Sequence, residues 1–189
     1  MTDRMETYFK RSAGVINQLA EQQPPELDEL VESVLAAWDR GGKIVSCGNG
    51  GSASDSQHFT TELVARFKEQ SIHKPAISLV SNPATLTAIS NDWNYEEVFA
   101  RQLDAHLCAE DVFLGISTSG NSENILRAMD RACEVGARRF ALTGEGGGKL
   151  LNRKCTVIAV PSETTAHIQE AHAACLHYIC SRIDERLHG

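Results

Sequence analysis

The stretch 111–124, D-V-F-L-G-I-S-T-S-G-N-S-E-N, constrains the fold more than any other part of the chain. Residues 112–116 form a short apolar run that reads as a buried strand. The chain then turns through Ser117-Thr118-Ser119-Gly120-Asn121-Ser122, and beyond it Ile125, Leu126, Met129 and Cys133 recur at helical spacing. The order is strand, hydroxyl-rich loop, helix start. A helix N-terminus leaves backbone N–H groups unpaired and carries a partial positive charge. Three serines and a threonine add hydroxyl donors at that spot, and Gly120 lets the backbone approach a ligand closely. A serine N-cap needs one hydroxyl; four in six residues point to a bound phosphate.

The same alternation runs along the chain. Residues 43–47, 75–80, 139–142 and 155–160 read as further strands. Helices are expected over about 53–68, 83–91, 94–107, from the hydroxyl loop to about 135, and over 166–187. Alternating strands and helices predict an α/β three-layer sandwich around a five-stranded, mostly parallel sheet. Ligands of such sheets bind beyond the carboxyl ends of the strands, where the loops after residues 47, 116 and 143 would gather. Ahead of this core, residues 3–22 form a loose amphipathic helix ended by Pro24-Pro25. Leu27, Leu30, Val31, Val34, Leu35 and Trp38 mark a second helix, closed by Gly41-Gly42. The hairpin 1–41 either builds an oligomer or covers one sheet face, within a single domain spanning 1–189.

Composition removes several functions. A net charge of −7 without any basic cluster argues against nucleic-acid or membrane partners. No apolar run approaches the roughly 20 residues that span a bilayer. The first ten residues carry acids and lack the apolar core of a signal peptide. The six cysteines show no C-x-x-C spacing and most read as buried free thiols, so a cytoplasmic location is expected.

The run Gly48-Asn49-Gly50-Gly51-Ser52-Ala53 formally fits a dinucleotide fingerprint. That fingerprint also wants an acid ending the second strand, which here reads Leu79-Val80-Ser81-Asn82, so a nicotinamide cofactor is rejected. A Walker loop also fails, because the run from Gly144 to Lys149 has the wrong length and Leu150 stands in place of Ser or Thr. The glycines instead allow close approach to a small phosphorylated ligand. On the following helix Asp55, His58, Glu62 and Arg66 share one polar stripe beside Phe59, Leu63 and Phe67. A solvated face would look the same, yet His58 and Glu62 at i and i+4 can share a metal or a substrate. The last helix carries Gln169, Glu170, His172 and His177 among apolar residues, where core histidines are the plainer reading. Asn91 and Asp92 could bind sugar hydroxyls, or Asn91 could cap its helix.

Together the strings C-G-N-G-G-S-A, Q-H-F-x-x-E-L, S-N-D, G-I-S-T-S-G-N-S and I-Q-E-x-H resemble the SIS (sugar isomerase) fold, a flavodoxin-like architecture. More closely, the chain resembles the sedoheptulose 7-phosphate isomerase (phosphoheptose isomerase) family of lipopolysaccharide core synthesis over essentially its whole length. The resemblance implies that Ser117, Thr118, Ser119 and Ser122 hold the substrate phosphate. It implies that Asn49, Gly50, Gly51, Asn91 and Asp92 bind the sugar chain, with Glu62 and Gln169 also touching substrate. Glu62 and His177 match the family's acid/base pair, and His58, Glu62, Gln169 and His177 match its zinc positions. A homotetramer with sites shared between subunits is implied, with a phosphorylated seven-carbon sugar as substrate. One departure is His167, where relatives often carry Arg; any role in the site would make its charge depend on pH.

The implied chemistry suits these residue types. Converting a ketose to an aldose moves a proton between neighbouring carbons through an enediol, with Glu62 as base and His177 as acid. Zinc would polarise the carbonyl, although a permanently ligated Glu62 or His177 could not also move protons. Gln169 and His177 lie eight residues apart, about 12 Å of helix, so they reach one ion only with extended side chains or from different subunits. A close relative that binds the bacterial replication initiator shares the scaffold but lacks the glutamate and histidine; Glu62 and His177 favour an enzyme here. Arabinose 5-phosphate isomerases usually carry an appended pair of regulatory domains, for which 189 residues leave no room.

Overall fold

The computed structural model describes residues 2–68 and 72–189. Five strands, β1 (Ile44–Gly48), β2 (Ala76–Ser78), β3 (Val112–Ser117), β4 (Arg138–Thr143) and β5 (Thr156–Ala159), form one sheet. All four pairings are parallel, and the order is β2-β1-β3-β4-β5. The expected three-layer, flavodoxin-like arrangement is therefore present. Strand residues alternate between the faces, as a period of two requires. Ile44, Val112, Leu114, Ile116, Phe140 and Leu142 face one apolar cluster. Val45, Cys47, Phe113 and Ala141 face the other.

Helices α2 (Pro25–Asp39), α3 (Gly51–Val64) and α7 (Thr165–His188) supply the first cluster. Helices α4 (Pro83–Asp92), α5 (Ala100–His106) and α6 (Glu123–Val135) cover the opposite face. The hairpin divides its labour. α2 buries Leu30, Val31, Val34 and Trp38 against the sheet layer. α1 (Thr2–Gln22) buries Val15 and Leu19 and leaves Met5, Phe9 and Ile16 exposed.

Two helices and one strand differ in their bounds from the sequence expectation. α3 stops at Val64 rather than 68, because the Leu63 carbonyl accepts from the Lys74 N–H at 3.0 Å. Arg66 consequently leaves the polar stripe. The span 94–107 is two pieces, since the Asn94 side chain accepts from the Glu97 N–H and caps a 3-10 turn over Tyr95–Glu97 before α5 begins. β2 is shorter than 75–80 because Ser81 N–H closes a turn onto the Ser78 carbonyl.

Two buried polar features hold the site-bearing elements in register. The hydroxyls of Ser46, Ser56 and Ser78 form a chain, with Oγ–Oγ distances of 2.8 and 2.7 Å, that seats α3 on β1 and β2. Asp111, fully buried, ties the start of β3 to the start of β1: it accepts from Lys43 N at 2.8 Å, Lys43 Nζ at 2.7 Å and Cys108 N at 2.9 Å. Burial alone would raise this carboxyl; the hydrogen bonds from Lys43 and Cys108 outweigh it and hold the group below the usual carboxylate range. A depressed folded-state value means stability present above about pH 4 and lost as the pH falls through the folded-state value. Asp111→Asn is expected to lower stability by about 2 kcal/mol at neutral pH, since its amide turns a donor toward donors. Denaturant titrations should also show a flatter acid limb in the variant.

Candidate functional site

The loops after β1, β3 and β4 meet at the carboxyl edge of the sheet. The hydroxyl loop leaves β3 at Ser117, which is buried with its Oγ 3.1 Å from Ser122 Oγ. Ser122 occupies the N-cap of α6, yet its hydroxyl caps no backbone N–H. Ser119 is exposed and Thr118 half-buried. The four residues assigned to phosphate thus line one turn at the positive end of α6.

What shapes this turn is a second glycine run. Gly144 N donates to the Thr118 carbonyl at 2.9 Å, Leu150 N to the Gly120 carbonyl at 3.2 Å and Lys149 N to Asn121 Oδ1 at 3.0 Å. Gly120 has φ +63°, and a Cβ there would lie 2.1 Å from the Gly147 carbonyl oxygen. The run that fails as a Walker loop is a buttress. Its sequence signal, clustered glycines after β4, carries no hint of the partner.

The first glycine loop presents Gly50 at φ +57° as the N-cap of α3. The Asn49 side chain, expected on the sugar, pairs with Asn124 and accepts from Tyr95. Asn91 and Asp92 end α4, both exposed, with Asn91 Nδ2 donating to Asp92 Oδ1 at 2.9 Å. Asn91 does not cap α4; Trp93 holds that position, with Arg101 stacked 3.9 Å from its ring centroid.

Halfway along α3 lies the other cluster. His58 Nε2 is 2.9 Å from Glu62 Oε1, and the His58 and His177 rings meet edge-on with centroids 5.1 Å apart. One ligand atom from each of His58, Glu62 and His177 lies within 4.8 Å of the others. The cluster is brought together by α3 and α7 within one chain. Phe59, Leu176 and Cys180 line the narrow cleft beside it, together with Asp55. Burial pushes the Asp55 carboxyl above the usual range against the pull of His58, and its Oδ2 has no hydrogen-bond partner among the described residues. Two imidazoles and a carboxylate fit the three-ligand donor set of a catalytic metal centre.

Gln169 stands apart from this triad. It packs on Gly51, where a Cβ would fall 2.5 Å from its Nε2. Gly51 precedes His58 by seven residues, about 10 Å of helix rise. His172 is the plain core histidine anticipated for this helix: fully buried, its Nε2 lies 3.0 Å from the Thr143 carbonyl, and burial pushes its value down to about 4. His167, buried beside Tyr8, has Nδ1 3.1 Å from Glu170. All six cysteines are free; Cys47, Cys175 and Cys180 are buried, Cys133 and Cys155 partly so, and Cys108 is exposed. Among the described residues no helix is long and apolar enough to cross a membrane.

Comparison with known proteins adds to this geometry. Residues 7–144 match the SIS domain family. The phosphoheptose isomerase of Methylibium petroleiphilum is 41% identical over 192 aligned positions, covering 100% of this chain and 96% of its own. The solved phosphoheptose isomerase from Neisseria gonorrhoeae superposes with a TM-score of 0.91 at 35% identity, covering 97% of this chain and 98% of that one. The corresponding structure from Francisella tularensis gives a TM-score of 0.90 at 35% identity over 98% of both. With the sheet, the hydroxyl loop and the His–Glu–His cluster all in place, the chain belongs to the phosphoheptose isomerase family of SIS-domain proteins.

Proposed function

We propose that the protein converts sedoheptulose 7-phosphate to D-glycero-D-manno-heptose 7-phosphate by proton transfer through an enediol. The observation that carries this reading is the meeting of Glu62 with His58 and His177, beyond the loop edge, in a chain of this family. The phosphate goes to Ser117, Thr118, Ser119 and Ser122 at the start of α6. The Gly50–Gly51 backbone, Asn91, Asp92 and Gln169 line the sugar chain. His58 lies seven residues and Glu62 eleven beyond Gly51 along α3, a rise of about 10–16 Å.

Glu62 takes the proton from C1 and returns it to C2, while His177 serves the carbonyl and hydroxyl oxygens between which the second proton moves. His58, Glu62 and His177 would hold a zinc ion, with Gln169 joining them only through extended side chains or from another subunit. Bound there, the metal would polarise the carbonyl and offset the negative charge that develops on oxygen. Glu62 and His177 move protons only when they are not held on that ion. The exposed Met5, Phe9 and Ile16 of α1 support a homotetramer in which the hairpin 1–41 contributes to the interface. The free cysteines support a cytoplasmic setting. A purely initiator-binding role has no support in the site, which keeps Glu62 beside His177.

Turnover of sedoheptulose 7-phosphate by the purified protein tests this reading, measured before chelation, after it, and with zinc restored. Turnover that chelation removes and zinc restores would make the cluster of His58, Glu62, Gln169 and His177 a working metal site. Activity indifferent to chelation would leave the acid/base pair without a metal, and no turnover under any condition would remove the isomerase.

A further inference from the structure

Three candidate substrate-binding segments converge on one pair of side-chain amides. Asn49, in the loop after β1, donates from Nδ2 to Asn124 Oδ1 at 2.9 Å. Asn124, the second residue of α6, donates back from Nδ2 to Asn49 Oδ1 at 2.9 Å. That same Asn49 oxygen accepts from the Tyr95 hydroxyl at 2.8 Å, and Tyr95 stands three residues after Asp92. Asn124 is 3% exposed, so its amide is committed to this pairing rather than to solvent. Arg127, one turn further along α6, bonds Glu96 and Glu97 beside Tyr95 and fastens that segment to the same helix.

We propose that Asn124 is a positioning residue for the isomerisation: its reciprocal amide pair with Asn49 fixes the spacing between the phosphate-bearing hydroxyl loop and the sugar-bearing glycine loop. The inference rests on the isomerase reading above. A phosphate seated on one loop and a sugar chain running along the other place the reacting carbons correctly only while the two loops keep their separation. Reciprocal amide bonding suits that task, because two parallel hydrogen bonds resist both sliding and rotation where one would allow a pivot. Misplacement by about 1 Å can cost on the order of a hundredfold in rate.

The experiment compares Asn124→Ala and Tyr95→Phe with the parent protein, using steady-state turnover of sedoheptulose 7-phosphate and competitive inhibition by inorganic phosphate. Asn124→Ala should lower kcat/KM by about a hundredfold. Tyr95→Phe removes a single neutral hydrogen bond at an exposed residue and should lower it about fivefold. The inhibition constant of inorganic phosphate should stay unchanged in both, because phosphate touches only the hydroxyl loop. A folded Asn124→Ala protein within twofold of the parent would overturn the proposal. So would a loss of phosphate affinity matching the loss of kcat/KM, which would mean that the hydroxyl loop itself had collapsed. Should Asn124→Ala not fold, Tyr95→Phe decides alone, and full activity there overturns the idea. A parent protein without turnover would remove the isomerase reading and this inference with it, whereas an active parent with an unaffected variant removes the inference only.

Discussion

Glu62→Gln is expected to lose about a thousandfold in turnover while melting within a few degrees of the parent. Glutamine keeps the shape of the side chain and can still bond His58, which lies 2.9 Å away. It cannot accept a proton from carbon, and a positioned general base contributes roughly 10²- to 10⁴-fold. Folding should be spared because the opposite face of α3 holds the helix down, through Phe59, Leu63 and the Ser46–Ser56–Ser78 hydroxyl chain. Steady-state kinetics beside a thermal melt checks both halves. Near-parental turnover would remove Glu62 as the base.

Gly120→Ala should damage the phosphate end as severely, by a different route. Its backbone is left-handed at φ +63°, which costs any L-residue about 1–2 kcal/mol. The new methyl would also lie 2.1 Å from the Gly147 carbonyl oxygen and 2.6 Å from its carbon. Those atoms are backbone and cannot swing aside, so the hydroxyl loop and its buttress must part. A fall in kcat/KM of at least about a hundredfold is expected, together with a lower melting temperature. Gly146→Ala is the control: its φ is +75°, but a Cβ there meets nothing within 4 Å. It should carry the conformational cost with nearly parental turnover. Equal behaviour of the two variants would mean that loop packing does not govern the phosphate site.

The strands were legible because each is a short apolar run flanked by turn residues, and the parallel sheet followed from their alternation with helices. The hydroxyl loop was legible because its chemistry is local: hydroxyls, a glycine and a helix start in one run of residues. What escaped sequence reading is non-local. α3 ends where Lys74, eleven residues after Leu63, takes its carbonyl, and no propensity in 61–68 records that competition. The pairing of Asn49 with Asn124 could not be read from the chain, because the two stand 75 residues apart. The glycines at 146–148 could be denied a nucleotide but not given a task until Gly120 was found against them. His172 and His177 looked alike on α7. The helix turns the first into the core and the second toward α3, a distinction carried by orientation rather than residue type.

Glu170 accepts hydrogen bonds from Tyr8, at 2.7 Å, and from Ser12, both on α1, and its chain neighbour Gln169 lies against the glycine loop. The amino-terminal helix is therefore wired to within one residue of the contact on the glycine loop. Anyone preparing this protein should place an affinity tag with that in mind: a fusion that pulls on α1 also pulls toward the glycine loop.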